Sequence, residues 1–404
     1  MFGLVVFLVL ALLVGGALHG QSYFIDYSMY DRAGSKVLSG DVADLHELFR
    51  LETPKFHYSY FFAFLFSALT RIGPALGKWI FATLIGFSFL WALFASFRLT
   101  QEARGAFTRP YLILFLTILL SVYSLNDNFM TSNVAVFLLA LMLLSYWTRE
   151  EHPCLSGGFL GAAIVIKLYP LSLLGFYLWE RRPRLVGWTL FWSAFFYWGL
   201  PSIVVGPQMA TRLLQTQALV LNRFGDHWPM DCIWFQCLPA TVLRYAKAFG
   251  VASPGLLRNS FLLGGAGVAI FFFPSFLTTK EKLCSDFRLR MFFLVLAVTC
   301  LLLPVCWYNV GIFYLPACLY LLARWWEEQV PIALWSVFGF GVLYGLTTPD
   351  ILGTPWNDRL EYYSIPFWGA VLLTMGLMVD TWRTYPQHFW GRQGTLPNRL
   401  ESTT

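Results

Sequence analysis

Charged residues are scarce in this chain. They make up 12% of the 404 residues, against about 25% in an average globular protein. Hydrophobic residues account for 57% of the chain, and the mean hydropathy is +0.60. A water-soluble domain could not bury so much apolar surface. The sequence therefore predicts an all-α polytopic membrane protein, with residues 1–404 forming a single integral membrane domain.

Several common motifs are also missing. The seven cysteines contain no C-x-x-C pair and have no histidine partner at metal-ligand spacing. No Gly-rich phosphate loop follows a strand, and neither G-x-S-x-G nor H-E-x-x-H occurs. No basic patch is dense enough to indicate nucleic acid as a partner. The chain has no room for the α/β domain that binds nucleotide sugars, so a sugar-transferring enzyme of this kind would need a lipid-borne donor.

Apolar stretches recur along the whole chain, and several are shorter than the roughly 20 residues that cross a bilayer. We therefore expect some half-length or broken helices, and ten to thirteen spans. The first stretch lacks a basic n-region and an A-x-A site, which favours a retained span over the alternative of a cleaved signal peptide. The stretches are 2–19, 57–72, 76–97, 109–123, 131–147, 156–178, 185–205, 260–277, 291–306, 308–323, 331–347 and 364–381.

Positive charge between these stretches predicts the orientation, because cytoplasmic loops are enriched in Lys and Arg. We place all of the basic clusters in the cytoplasm. Residues 153–180 and 291–323 then begin and end on the same side, so each forms a hairpin whose tip points outward, near Lys167–Pro170 and Trp307–Asn309. The clusters are Arg98/Arg104/Arg109, Arg149, Arg181/Arg182/Arg184, Lys280/Lys282/Arg288/Arg290, Arg324 and Arg383 onward.

The remaining connections are predicted to face outward: 21–55, 124–130, 206–258 and 348–362. Residues 56–98 must then cross an odd number of times but hold two apolar runs, so 57–72 either lies in the interface or dips in and returns. The spacing of Ala33, Val37, Leu38, Val42 and Leu45 suits an amphipathic helix on the bilayer, and 208–222 and 238–249 look similar. Cys232 and Cys237 could form a local disulfide or remain two buried thiols.

Two charged residues stand out at the predicted outer face. Asp26 follows the first apolar stretch beside Tyr30, and ionisable groups at a membrane boundary are costly and tend to be functional. Lys167 lies inside AAIVIKLYPLSLL without another charge nearby. Its ammonium could snorkel to water from a hairpin tip, or it could contact a lipid phosphate as a compact point charge.

Other polar residues are predicted to converge on the same face. For Asp127, Asp226 and His227 the simpler interpretation, a solvated loop residue, is favoured. The full set comprises His57, Asn126, Asp127, Asn128, Asn133, Asp226, His227, Gln236, Trp307 and Asn309.

Six stretches carry an ordered set of motifs: DYSMYDRAGSKVLSG (26–40), KFHYSYFFAFLFSAL (55–69), SNVAVFLLALMLL (132–144), GGFLGAAIVIKLYPLSLLGFYLWERRPR (157–184), FQCLPATVLR (235–244) and LPVCWYNVGIFYLPA (303–317). Together they resemble glycosyltransferase family 87, the polytopic GT-C mannosyltransferases that use polyprenyl-phosphate mannose. The 157–184 stretch is the most similar, matching the family's L-A-x-x-I-K-x-x-P-L-L-L-L. The first stretch looks like D-x-x-V-Y-x-x-A-x-x-x-L-x-G.

Some positions depart from the family pattern. Ser59 and Tyr60 replace two prolines, and Thr131 stands where Gln is usual. Trp307 is kept, but Asn309 replaces a His and can only hydrogen-bond where His could also transfer a proton.

The resemblance implies a GT-C-like bundle of 10–13 transmembrane helices, with amphipathic helices in the outer loops. Loops 21–55 and 206–258 would form part of the active-site face. Asp26 would be the general base of an inverting transfer, and Lys167 and His57 would hold the donor phosphate. The substrate-binding residues would be Tyr30, Asn133, Gln236, Trp307 and Asn309, with Tyr30 and Trp307 stacking on sugar or prenyl surface.

The predicted reaction moves a sugar, mannose by resemblance, from a polyprenyl-phosphate donor to a lipid or glycan acceptor on the non-cytoplasmic side. No cofactor is expected; a divalent metal would be compatible with the site, but no ligand cluster requires one. The absence of a sorting or retention signal favours a bacterial inner membrane. The alternatives are a transporter or flippase for lipids or lipid-linked sugars, whose inverted repeats and mid-membrane charges are not apparent here, and a non-catalytic membrane scaffold.

Overall fold

The computed structural model describes residues 25–41, 58–222, 231–251, 265–266, 284–303 and 306–389. Every regular element within these ranges is helical, which confirms the predicted all-α fold. The predicted span 2–19 and nearly all of 260–277 lie outside the described residues, as do His57, Asp226 and His227.

The helices are α1 Ile25–Ser39, α2 Tyr60–Arg71, α3 Pro74–Arg104, α4 Pro110–Thr131, α5 Ala135–Thr148, α6 Pro153–Ile166, α7 Ser172–Trp179, α8 Pro183–Val205, α9 Pro207–Asn222, α10 Leu238–Ala248, α11 Ser285–Leu302, α12 Leu315–Glu328, α13 Pro331–Gly345, α14 Pro349–Leu352, α15 Thr354–Tyr362 and α16 Ile365–Phe389. Short 3₁₀ segments at Tyr169–Leu171 and Tyr308–Tyr314 connect α6 to α7 and α11 to α12. Many of the helices begin with proline, which fits the first turn because its missing N–H has no partner there.

Four of the described helices are long and apolar enough to cross a membrane: α3, α4, α8 and the Ile365–Arg383 part of α16. Shorter apolar helices are α2, α5, α6 and α13. At 1.5 Å per residue, a 14-residue helix such as α5 or α6 reaches only about 21 Å. The prediction of half-length helices is therefore confirmed, and the chain is an integral membrane protein.

Arginine and carboxylate side chains pair at one end of the bundle, which we call the arginine end. Asp286, in the first turn of α11, binds Arg104 and Arg290, and Asp380 on α16 is buried between Arg290 and Arg324. Because they are neutralised in pairs, these charges can be buried at one end of several helices. The pairs include Arg104–Asp286 at 3.3 Å, Arg290–Asp286 at 2.8 Å, Arg324–Asp380 at 2.8 Å, Arg149–Glu180 at 3.4 Å, Arg182–Glu180 at 3.1 Å and Arg288–Glu150 at 3.7 Å.

Both predicted hairpins are present. Helix α6 ends at Ile166, Lys167 is extended with φ −146° and ψ 141°, and the chain reverses through the 3₁₀ turn. Helix α7 then returns to Glu180 at the arginine end. The 3₁₀ segment Tyr308–Tyr314 reverses the chain at the tip of the second hairpin in the same way. Each tip thus lies at the end of the bundle opposite the arginines.

Helix α2 covers most of residues 57–72. It runs antiparallel to the start of α3, since the Phe66 and Phe81 rings lie 5.3 Å apart and Gly77 lies against the Leu69 carbonyl. Only α3 continues to the arginine end, at Arg104. The 12-residue helix α2 therefore stays at the opposite end and the stretch crosses once.

Residues 124–130, predicted as an outward-facing connection, are instead part of a helix. Helix α4 continues through them to Thr131 and ends at Ser132, which has φ 58°. The helix persists because its last turns are packed: the Asn128 side-chain amide donates to the carbonyls of Ser124 and Asn309, each at 2.7 Å.

The predicted helices near 208–222 and 238–249 are confirmed as α9 and α10. The one predicted from Ala33, Val37 and Leu38 is part of α1, whereas Val42 and Leu45 lie outside the described residues. Cys232 and Cys237 are not joined by a disulfide, so the alternative of two thiols holds.

Candidate active site

Four chain segments meet at the end opposite the arginines. Asp26 lies in the first turn of α1, and Tyr58 immediately precedes the N-cap of α2. Asn133 lies between α4 and α5, and Lys167 follows α6. Residues distant in sequence, three of them predicted as site residues, are thereby brought together around one carboxylate.

Among the described residues, three donors hold the Asp26 carboxylate. Its Oδ2 accepts from the Asn133 amide at 3.1 Å, the Tyr30 hydroxyl at 3.3 Å and the Tyr58 hydroxyl at 3.4 Å. The Asn133 amide is itself oriented, because its Oδ1 accepts from the Ala135 backbone N–H at 3.1 Å. The carboxylate is thus positioned by residues from three segments.

Opposing effects act on the pKa of Asp26. Burial raises it, and this effect is the largest. The Lys167 ammonium and the hydrogen bonds from Tyr30, Asn133 and Tyr58 act in the other direction, because they stabilise the charged form. The net pKa lies above the ordinary value of an aspartate, so the carboxylate is a stronger base than it would be in water.

Tyr30 differs from its predicted role. Its ring is fully buried, with edge contacts to Tyr58 and Phe62 at 4.9 Å each and to Phe66 at 5.2 Å. No face of the ring is left to stack on a sugar, so that expectation is corrected. The side chain instead directs its hydroxyl at Asp26 from inside an aromatic cluster.

Lys167 points into the site. Its Nζ lies 4.6 Å from the centre of the Tyr58 ring and 5.8 Å from that of Tyr169. It interacts electrostatically with Asp26, but among the described residues it forms no contact ion pair with a carboxylate. The cation is thus held by aromatic faces beside the carboxylate rather than neutralised by it.

A second carboxylate belongs to this region. Asp127, on the last turns of α4, faces both the backbone N–H and the side-chain amide of Asn309, and it is close enough to Asp26 for the charges to repel. Sequence reasoning had favoured a solvated Asp127. The available signal was the Asn126–Asp127–Asn128 triplet directly after an apolar stretch.

Gln236 and Trp307 lie next to this region but do not contact Asp26. Gln236 is buried and donates to the carbonyls of Ile233 at 2.6 Å and Glu361 at 3.2 Å. The half-buried Trp307 ring packs 5.6 Å from Phe235. Within the described part of the chain, no group of three or more His, Cys, Asp or Glu side chains could hold a metal ion.

The profile of glycosyltransferase family 87 matches residues 56–304, more than half of the chain. The chain belongs to glycosyltransferase family 87. It is therefore a membrane glycosyltransferase, and the four described helices that are long and apolar enough to cross a membrane agree with that assignment. Neither the curated proteins nor the solved structures gave a match.

The matched range of this family 87 member contains Asn133, Lys167 and Gln236 but not Asp26, Trp307 or Asn309. The family match therefore identifies the kind of enzyme, whereas the case for Asp26 rests on its three hydrogen bonds and its position beside Lys167.

Proposed function

We propose that this glycosyltransferase moves a sugar, mannose by family resemblance, from a polyprenyl-phosphate donor to a hydroxyl of a lipid or glycan acceptor, with inversion. The observation that carries the proposal is the buried, triply hydrogen-bonded Asp26 beside an ammonium that no described carboxylate neutralises. A base next to an anion-binding cation is what this reaction needs.

Asp26 is the general base. The three donors all bind Oδ2, so Oδ1 is the oxygen that takes the proton. The acceptor oxygen forms a bond to the anomeric carbon as its proton passes to Asp26. The bond from the anomeric carbon to the phosphate oxygen breaks on the opposite face, and the polyprenyl phosphate leaves with the electron pair. The raised pKa of Asp26 brings it closer to a working pH, which favours general base catalysis.

Lys167 binds the donor phosphate. A compact ammonium suits a phosphate, and stabilising the charge that develops on the leaving group lowers the barrier. The Lys167 ammonium lies over the Tyr58 ring, and the Tyr58 hydroxyl also donates to Asp26, so Tyr58 links the ammonium to the base. His57, next to Tyr58 in sequence, stays a predicted second phosphate contact and lies outside the described residues.

The transfer takes place on the non-cytoplasmic side of the membrane. This orientation is supported by the arginine end, which contains Arg104, Arg149, Arg182, Arg290 and Arg324. Cytoplasmic ends of membrane proteins are enriched in such residues, and Asp26 and Lys167 lie at the other end. A donor anchored by its prenyl chain would reach them from the lipid of the outer leaflet.

The experiment is Asp26→Asn, which keeps the shape of the side chain and removes the proton acceptor. We expect transfer from polyprenyl-phosphate mannose in isolated membranes to fall by about 10²–10⁴-fold, with unchanged protein level and insertion. Asp41→Asn is the matched control, since Asp41 is exposed beyond the end of α1 and contacts Ser39. Full transfer activity in the Asp26→Asn membranes would end the assignment of the base.

A further inference from the structure

A second polar cluster lies at the same end of the bundle, built from parts of the chain that the reaction above does not use. It comprises Asn357 and Glu361 on α15, Gln236 before α10 and Tyr308 at the tip of the second hairpin. Glu361 is only 3% exposed, Asn357 3% and Gln236 2%. Polar side chains that are buried this deeply need hydrogen-bond partners.

The cluster has more acceptors than donors. Glu361 Oε1 accepts from the Asn357 amide at 2.8 Å. Glu361 Oε2, Asn357 Oδ1 and Gln236 Oε1 are buried without a hydrogen-bond partner among the described residues. The Tyr308 hydroxyl faces the Glu361 carboxylate but stops short of a full hydrogen bond. Leaving a buried acceptor unpaired is destabilising, so three of them mark a place where donors are expected to bind.

Among the described residues, the cation that acts on Glu361 does not fill this role. Arg244 is the arginine that acts electrostatically on Glu361. Its guanidinium is already engaged: Nη1 donates to the carbonyls of Cys232 at 2.6 Å and Phe235 at 3.0 Å, and Nη2 donates to the Ser364 hydroxyl at 2.7 Å. Burial raises the pKa of Glu361, and it is the largest effect on that group.

The surroundings are aromatic and lead toward the base. The rings of Tyr123 and Tyr344 lie 4.8 and 5.5 Å from Tyr308. Asp127 is within electrostatic reach of both Glu361 and Asp26. Asn309, which follows Tyr308, faces Asp127. A ligand that reaches Glu361 could thus extend along this line of side chains to Asp26.

We propose that Glu361, with Asn357, Gln236 and Tyr308, binds the hydroxyl groups of a sugar unit on the acceptor. Sugar hydroxyls are the donors that carboxylate and amide oxygens lack here, and sugar C–H faces pack on tyrosine rings. This inference rests on the proposed function, because it takes the molecule bound here to be the one deprotonated by Asp26.

The test is a binding experiment on the purified full-length protein. The probes are octyl glycosides of mannose, glucose and galactose below their micelle-forming concentrations, with octanol as the ligand that lacks sugar hydroxyls. We expect at least one octyl glycoside to bind more tightly than octanol. Glu361→Gln, which replaces an acceptor by a donor, should weaken binding of that glycoside by about tenfold, as expected from the loss of one hydrogen bond. Octanol binding should not change.

Two further variants keep the result interpretable if Glu361→Gln folds poorly. Tyr308→Phe removes one hydroxyl and should weaken binding of the same glycoside by a smaller factor. Glu151→Gln changes an exposed carboxylate at the arginine end and should have no effect. The inference is overturned if no glycoside binds better than octanol, or if the Glu361→Gln and Tyr308→Phe proteins bind the glycoside as wild type does. It is also overturned if a divalent cation, tested as Mg²⁺ or Mn²⁺ alone, binds the wild type but not Glu361→Gln.

Transfer assays separate this inference from the proposed function. Glu361→Gln should raise the KM for the acceptor and leave the KM for polyprenyl-phosphate mannose unchanged. If Asp26→Asn abolishes transfer while the acceptor KM of Glu361→Gln stays at the wild-type value, only the further inference fails. If Asp26→Asn retains full activity, the proposed function fails first.

Discussion

At the scale of single residues, the proposed chemistry depends on the balance between Asp26 and Lys167. Burial disfavours a charge on the aspartate, and this outweighs the nearby ammonium and three hydrogen bonds, so the pKa of Asp26 lies above its ordinary value. The pair does not close into a contact, which leaves the ammonium available to a third group. A phosphate bound by Lys167 would lie next to the base, as the transfer requires.

Removing the ammonium should affect the donor first. In Lys167→Met we expect the KM for polyprenyl-phosphate mannose to rise by about 10–100-fold, because a charge-assisted contact of roughly 1.5–3 kcal/mol is lost, while the rate at saturating donor falls less. Steady-state transfer at varied donor concentration measures both. Lys247→Met, which breaks an exposed ion pair with Asp231, should behave as wild type. An unchanged donor KM in Lys167→Met would favour a lysine that only snorkels to water.

The same variant makes a prediction about pH. As the proposed general base, Asp26 acts as the carboxylate, so activity should fall as the pH decreases through its raised pKa. Lys167 lowers that pKa, and its removal raises it further. The acidic limb of the pH–rate profile at saturating donor should therefore move to higher pH in Lys167→Met and stay in place in Lys247→Met. A shift to lower pH, or none, would contradict the electrostatic coupling.

At the scale of elements, the position of Lys167 depends on how α6 packs against α8. Gly157 and Gly161 lie on the face of α6 that contacts α8, the spacing that lets membrane helices approach closely. A Cβ at Gly157 would lie 2.6 Å from the Trp188 Cβ and 2.8 Å from the Thr189 amide nitrogen. Backbone cannot yield like a flexible side chain, so even a methyl group would push α6 outward.

Gly157→Ala should therefore destabilise the protein by about 1–3 kcal/mol and weaken donor binding, since α6 ends at Lys167. Gly187→Ala is the matched control, because it lies within α8 and a Cβ there meets nothing within 4 Å. Thermal unfolding in detergent and donor KM measure the two effects. Equal stability of the two alanine variants would show that the helices can separate without cost.

These elements also show how far the sequence could be interpreted. The hairpin at Lys167 and the second one near Asn309 were predictable, since basic residues on both sides of a short apolar run place both ends together. The end of α4 was not. Asn126–Asp127–Asn128 is typical of a loop, and here it is helical and packs against Asn309, 181 residues beyond Asn128.

The site shows the same limit. Asp26, Asn133 and Lys167 could be identified because each is a polar residue at the edge of an apolar run. Tyr58 and Glu361 could not. A tyrosine in an aromatic stretch carries no local signal. The surroundings of Glu361 come partly from distant segments: Gln236, 125 residues away, donates to the Glu361 backbone carbonyl, and the Tyr308 hydroxyl faces its carboxylate.

At the scale of the whole molecule, the two ends of the bundle differ in what their charges do. At the arginine end, Asp286 and Asp380 are each bound by two arginines, and Glu180 by Arg149 and Arg182. At the other end, Asp26, Asp127 and Glu361 form no contact ion pairs among the described residues. Paired charges stabilise a structure, whereas buried charges left without such partners suit a site that binds and transforms ligands.

This asymmetry predicts the orientation of the enzyme. Ser39→Cys, at the exposed end of α1, and Glu151→Cys, exposed at the arginine end, would each be introduced after replacing the seven native cysteines. In intact right-side-out bacterial vesicles, a membrane-impermeant maleimide should label Ser39→Cys and spare Glu151→Cys. In inverted vesicles the pattern should reverse, and permeabilised vesicles should show both, which controls for reactivity. Labelling of Glu151→Cys alone in right-side-out vesicles would place Asp26 at the cytoplasmic leaflet. The donor would then have to bind from the cytoplasmic side rather than from the outside.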